Sequence, residues 1–188
     1  VKAAATIGQI DTVTLAVDDG ATAVADLLLT TPILAGVENL VINAAEDALS
    51  ITALTGAAAL TSIKVNATHA NTQTTAIVSG AVAFGANTHI DASGSTAPVS
   101  INLNGIINTT GASATRISGG SGNDTLRTSG AGTLSDVVQG NGGIDTITIT
   151  NDAATAEVVT VISEATTSTS ADFITGFQSA EDEFDYNG

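Results

Sequence analysis

The chain contains no cysteine, methionine or tryptophan, two prolines, and only four basic residues among 188. Without cysteine there are no disulfides, no thiolate metal sites and no thiol chemistry. Lys2, Lys64, Arg116 and Arg127 stand against 19 Asp and Glu, a formal net charge of −15. Nucleic acid and anionic membrane surfaces are thereby excluded as partners, because each requires a cationic patch. No apolar run approaches the roughly 20 residues of a membrane-spanning helix, so membrane insertion is not expected. The most hydrophobic stretch, Ala21 to Leu34, is broken by Asp26 and Pro32. Residues 1–20 do not read as a secretory leader, since Asp11, Asp18 and Asp19 fall where its apolar part would be. Val1 and Gly188 read as the limits of a segment taken from a longer protein.

Aromatics are also scarce, at four Phe and one Tyr, although 43% of the residues are hydrophobic. That fraction is too high for a disordered acidic chain. It consists almost wholly of Ala, Val, Ile and Leu, which suit a narrow, repetitive interior better than a thick globular one. Short β-type runs recur at Thr12–Val17, 39–43, 62–66, 74–79, 99–104, 146–150 and 157–162, separated by Gly, Asn, Ser, Asp and Ala. Ser62-Ile63-Lys64-Val65-Asn66 and Val99-Ser100-Ile101-Asn102-Leu103-Asn104 alternate in the manner of strands with one buried face. The connections leave little room for crossover helices. One short helix is expected near the N-terminus, from about Thr22 to Leu29, ahead of Pro32. A β-sandwich is the ordinary alternative, but the repeats favour an all-β parallel solenoid or β-roll.

Gly119-Gly120-Ser121-Gly122-Asn123-Asp124-Thr125-Leu126-Arg127 matches every fixed position of the nine-residue pattern Gly-Gly-x-Gly-x-Asp-x-apolar-x. Gly140-Asn141-Gly142-Gly143-Ile144-Asp145-Thr146-Ile147-Thr148 matches it again, with Asn for the second Gly. Between them, after the insertion Thr128-Ser129-Gly130, residues 131–139 keep Gly132, Asp136 and Val138. Residues 110–118 retain only Gly111 and Ile117. The glycines permit a tight turn whose carbonyls point at one spot, the Asp adds a carboxylate there, and the apolar residue enters the core of the following strand. Hard oxygen donors with net negative charge suit Ca²⁺. Two glycine-rich β-turns without metal are the plainer alternative.

These units resemble the RTX nonapeptides of proteins exported by type I secretion. In such a roll, with two strands per coil, turns n and n+2 stack. The resemblance implies that Asp124 and Asp145 share one Ca²⁺ with carbonyls from Gly119, Gly120, Ser121 and Gly122 and from Gly140, Asn141, Gly142 and Gly143. Asp136 falls on the opposite side, where it faces only the degenerate turn at 110–118. Asp172-Phe173-Ile174-Thr175-Gly176-Phe177, followed by Glu181-Asp182-Glu183-Phe184-Asp185, is similar to the segment that closes RTX rolls. Phe173, Phe177, Phe184 and Tyr186 would then cover the open end of the solenoid. An acidic metal site at 181–185 is the other possibility. Gly36-Val37-Glu38-Asn39-Leu40-Val41-Ile42-Asn43 and Ile90-Asp91-Ala92-Ser93 resemble repeats of surface-layer proteins. The implied organisation is a Thr/Ala-rich solenoid over 1–108, a calcium roll over 109–163 and a capping segment over 164–188.

No constellation for catalysis emerges. His69 and His89 lack zinc-ligand spacing and are expected at exposed turns or strand ends. No Gly-x-Ser-x-Gly elbow occurs, and the glycine turns lack a phosphate-binding Lys. Paired acids on a β-helix face stay open for glycoside hydrolysis, but the aromatic and basic groups that hold sugars are missing. The expectation is a non-enzymatic, extracellular, calcium-dependent surface-layer subunit on the bacterial cell surface. Its partner would be itself, through calcium-dependent lattice contacts, or a cell-surface polysaccharide. An adhesin or biofilm-matrix segment and the calcium-roll tail of a secreted hydrolase are the alternatives. In each case the chain would be largely unfolded at cytosolic calcium and fold outside.

Overall fold

In the structure, a computed structural model, the described residues are 9–17, 27–70, 73–78, 84–85, 88–104, 115–129, 136–150, 158–162, 171–178 and 182–187. They form a parallel β-solenoid of two facing sheets. One sheet holds β1 (Thr12–Val17), β3 (Asn39–Ala44), β5 (Ser62–Ala67), β7 (His89–Asp91), β9 (Arg116–Ser118), β11 (Val137–Gln139), β13 (Val158–Ile162) and β15 (Glu183–Asn187). The other holds β2 (Leu27–Leu29), β4 (Leu49–Ile51), β6 (Thr75–Val78), β8 (Val99–Asn102), β10 (Thr125–Arg127), β12 (Thr146–Thr148) and β14 (Phe173–Thr175). Successive strands alternate between the sheets, so each coil contributes one strand to each.

Parallel pairing in register stacks like residues into columns. Leu40, Ile63, Ile90, Ile117 and Val138 line one inner wall, each directly beside the next. Ile51, Ile77, Ile101, Leu126, Ile147 and Ile174 line the other. All of these except the terminal Ile174 are buried to within 1% of full enclosure. The interior is aliphatic and nearly free of aromatics; Phe84 is the one buried Phe or Tyr among the described residues. Outward rows are polar and self-pairing: Asn66 Nδ2 donates to Asn43 Oδ1 at 2.8 Å one coil away.

The helix expected over 22–29 is not found where it can be seen. Leu27–Leu29 is strand β2, in parallel register with Leu49–Ile51, and residues 22–26 lie outside the described residues. Pairing with a preformed strand edge outweighs the modest helix preference of a three-leucine run. No helix long and apolar enough to cross a membrane occurs among the described residues.

Two smaller expectations also change. His69 is buried, not exposed: its Nε2 lies 3.2 Å from Thr75 Oγ1 at the start of β6, while Nδ1 has no hydrogen-bond partner. His89 does begin a strand and is half-buried. At the far end, Phe173 is 64% exposed and Phe177 37% exposed, and neither belongs to the buried core cluster. The pairing of Ile147 with Ile174 fixes the parity of β14, and the inward residue is Ile174. The side chains of Phe184 and Tyr186 lie outside the description.

Candidate calcium turns

The two glycine turns stack. β10 and β12 pair with Thr125 beside Thr146, which sets Asp124 next to Asp145. That register is kept although the sequence carries the three-residue insertion 128–130 between the two units. Asp136 precedes β11 in the other sheet and therefore sits on the opposite side of the roll.

Both carboxylates are buried and directed at backbone N–H groups. Asp124 Oδ1 accepts from Val99 N at 2.9 Å, and its Oδ2 accepts from Gly120 N within its own turn at 2.6 Å. Asp145 Oδ1 accepts from Asp124 N at 2.8 Å. Asp172 Oδ1 in turn accepts from Asp145 N at 2.9 Å. The result is a ladder, Val99 to Asp124 to Asp145 to Asp172, in which each carboxylate reaches back one coil. Its steps are 25, 21 and 27 residues long. The same column continues upstream as Thr75 and Leu49, so an inner position that carries no charge at Leu49, Thr75 and Val99 becomes acidic at Asp124, Asp145 and Asp172.

Asp172 was not among the residues expected at the site. The signal was present in the repeated phrase Asp-Thr-Leu-Arg, Asp-Thr-Ile-Thr and Asp-Phe-Ile-Thr, which the missing glycine turn before Asp172 hides. Asp136 forms its own closure: Oδ1 accepts from Thr115 N at 2.7 Å, and Oδ2 accepts from Ser129 N and Ser129 Oγ at 2.9 and 2.7 Å. Its carboxylate ties Asp136 to Ser129 and to Thr115. In the acidic segment near the C-terminus, Asp182 pairs with Gln178, accepting from its N at 2.6 Å and donating its own N–H to its carbonyl at 2.8 Å. Glu181 lies outside the described residues.

The glycines are needed for close approach. A Cβ on Gly119 would overlap the Gly140 carbonyl and Asp124 Oδ2, and one on Gly140 would overlap Asp145 Oδ2. A Cβ on Gly143, whose φ is +109°, would overlap the Gly122 carbonyl and press on Asn123 Oδ1. Asn141 takes φ +69°, a left-handed conformation that Asn tolerates better than most residues. Its Nδ2 donates to the Gly119 carbonyl at 2.6 Å, and Gly142 N donates to the Gly120 carbonyl at 2.9 Å.

Carbonyl and carboxylate oxygens thus pack directly against glycine Cα atoms, where any side chain would clash with them. A hard cation finds the donor types it requires in this set, because the carboxylate oxygens keep lone pairs beyond the N–H bonds made to Asp124 Oδ1, Asp124 Oδ2 and Asp145 Oδ1. The set is two carboxylates plus carbonyls; among the described residues no three His, Asp or Glu side chains converge as a metal cluster. The residues present therefore fit Ca²⁺ as ligands from two turns rather than from one acidic pocket.

Burial pushes the Asp124 carboxyl up to about 6, and the nearby charge of Asp172 adds to that rise, while the N–H groups of Val99 and Gly120 oppose it. A carboxyl that holds its proton more tightly folded than unfolded stabilises the fold fully below its unfolded value. That contribution is lost as pH rises through about 6. In chelator, the wild-type chain is therefore expected to gain on the order of 2–3 kcal/mol relative to Asp124→Asn between pH 7.5 and pH 4. Parallel denaturation profiles for the two proteins across that range would refute the assignment.

Comparison with known proteins finds no family model, no curated sequence and no solved structure that matches this chain.

Proposed function

We propose that this chain is a structural segment of a secreted bacterial surface protein, a surface-layer subunit whose β-roll is locked by calcium at the stacked turns 119–124 and 140–145. The observation that carries this reading is the pair of in-register glycine turns with the buried carboxylates of Asp124 and Asp145 one coil apart. Bound Ca²⁺ would neutralise those carboxylates and tie two successive coils together. Asp124 and Asp145 would supply charge, and the carbonyls of Gly119, Gly120, Ser121 and Gly122 and of Gly140, Asn141, Gly142 and Gly143 the neutral oxygens. The remainder of the chain works as a rigid spacer with a continuous aliphatic core. It carries out no catalysis, and its partners are copies of itself or a cell-surface polysaccharide.

Electrostatics gives the calcium dependence its direction. Without the ion, a chain of net charge −15 must bury carboxylates next to one another. With it, that cost is offset, and extracellular modules of this kind bind at about 10⁻⁴–10⁻³ M, far above cytosolic levels. Titrating calcium into chelated protein is expected to raise the melting temperature with a midpoint in that range. Magnesium at equal concentration should have a much smaller effect, because it demands compact octahedral geometry. A melting temperature indifferent to millimolar calcium would eliminate the calcium reading. Light scattering that stays monomeric in millimolar calcium would remove the lattice and favour an adhesin segment.

A further inference from the structure

One departure from the repeat pattern sets a reactive pair inside the stacked turns. The second unit carries Asn141 where the pattern has its second glycine, and Gly142 follows it. In an Asn-Gly pair the backbone nitrogen reaches the side-chain amide easily, because glycine has no Cβ to shield that nitrogen or stiffen the chain. Folding engages both reacting groups. Gly142 N donates to the Gly120 carbonyl of the neighbouring turn at 2.9 Å. Asn141 Nδ2 donates to the Gly119 carbonyl at 2.6 Å, and its Oδ1 accepts from Gln139 Nε2. The amide is therefore held from both sides. Asn141 and Gly142 are only half-buried, so water reaches the pair.

We propose that Asn141 is a self-modification site, closed while the turns are stacked and open whenever they separate. In the open turn the Gly142 nitrogen gives its proton to solvent base and bonds to Asn141 Cγ. The Cγ–Nδ2 bond breaks, and that nitrogen takes up a proton and leaves as ammonia. The succinimide ring so formed adds one water. Opening at Cγ gives aspartate, and opening at the backbone carbonyl carbon gives isoaspartate, with the main chain now running through the former side chain. No enzyme, oxidant or cofactor enters. In the stacked turn, swinging Cγ over the Gly142 nitrogen would break the Nδ2 and Oδ1 bonds together, and the proton to be lost is held on the Gly120 carbonyl. Either product works against restacking. Aspartate sets an anionic oxygen where Nδ2 donated to the Gly119 carbonyl, beside turns that already bury Asp124 and Asp145. Isoaspartate adds a methylene to the main chain ahead of Gly142, so its N–H no longer falls opposite Gly120. A roll left open is thus marked irreversibly, while a closed one keeps its asparagine.

The proposal rests on the stacking of 119–124 on 140–145, whatever closes the turns, so folding and calcium are varied separately. The whole chain is incubated at mildly alkaline pH in guanidinium chloride, in buffer with chelator and in buffer with millimolar calcium. Circular dichroism shows in which of these the sheets are formed. Tryptic cleavage after Lys64, Arg116 and Arg127 separates Asn104-Gly105, the same dipeptide outside these turns, from Asn141-Gly142. Mass spectrometry with fragmentation then reads amide-to-acid conversion at each asparagine. In guanidinium the two pairs should convert at similar rates. In the folded chain conversion at Asn141 should slow at least about tenfold, since attack waits for the turn to open. Asn141→Gly, which restores the repeat pattern, should show no conversion at that position. Equal rates at Asn141 in the folded and denatured chain would overturn the proposal, as would conversion of Asn104 without Asn141 in guanidinium. Protection as strong in chelator as in calcium would support it and count against calcium as what closes the turns.

Discussion

Asp145→Ala and Asp145→Asn are expected to be alike in losing the response to calcium and unlike in stability. Asp145 Oδ1 accepts the buried N–H of Asp124, so alanine leaves that donor without its carboxylate partner. A bond of this kind contributes about 1.5–3 kcal/mol, and the chelated Asp145→Ala protein should be destabilised by roughly that amount. Asparagine keeps an oxygen at the Oδ1 position and removes only the charge, so in chelator it should lie within about 1 kcal/mol of wild type. Both variants lose the anionic ligand, and both should lose the calcium-dependent rise in melting temperature. Calorimetry and chemical denaturation, each with and without calcium, separate the two roles. Full calcium response in Asp145→Asn would mean that the stacked turns are not the ion's site. Equal stability of the two variants in chelator would mean that the carboxylate ladder does not hold the coils.

A second large effect is expected far from any ligand. Ile90 is fully enclosed, with Ile63 on one side and Ile117 on the other in the same inner column. Truncation to alanine leaves a gap between two coils, and a parallel stack cannot collapse around it without shifting register along both sheets. The expected loss is about 2–5 kcal/mol, at the upper end where relaxation is poorest. In a solenoid each coil touches only its neighbours, so a weakened coil in the middle also uncouples the halves on either side. Denaturation followed by circular dichroism should show the Ile90→Ala transition both earlier and broader than wild type. A change under 1 kcal/mol would mean that the central coils pack more loosely than the columns indicate. The conservative Ile90→Val variant should cost about 0.5–1.5 kcal/mol and leave the transition sharp.

The strand content was legible because half-buried strands announce themselves by alternation. Thr12–Val17 and the runs starting at Asn39 and Ser62 have the same starts in the structure as in the pattern. The short strands Arg116–Ser118 and Val137–Gln139 are too brief to alternate visibly. They exist because neighbouring coils present edges for them to join. Leu27–Leu29 shows the same limit from the other direction: three leucines carry no period, so only the partner strand at Leu49–Ile51 decides between helix and sheet.

At the site, the division is between composition and partnership. Local sequence alone determined that residues 119–124 and 140–145 form glycine turns with one carboxylate each, because those spacings leave the backbone few other conformations. It also determined an interior without thiols, thick aromatics or cationic surfaces. Tertiary structure decided where the carboxylates point. Asp124 reaches Val99, Asp145 reaches Asp124, Asp172 joins the ladder from a segment with no glycine turn, and Asp136 serves Ser129 and Thr115 on the other side. Each of these bonds joins a residue to its neighbour across a coil or a turn, and register is a property of the whole stack. One inward column can therefore pass from Leu49 to Thr75 to Asp124 without any local mark in the chain that these residues are equivalent.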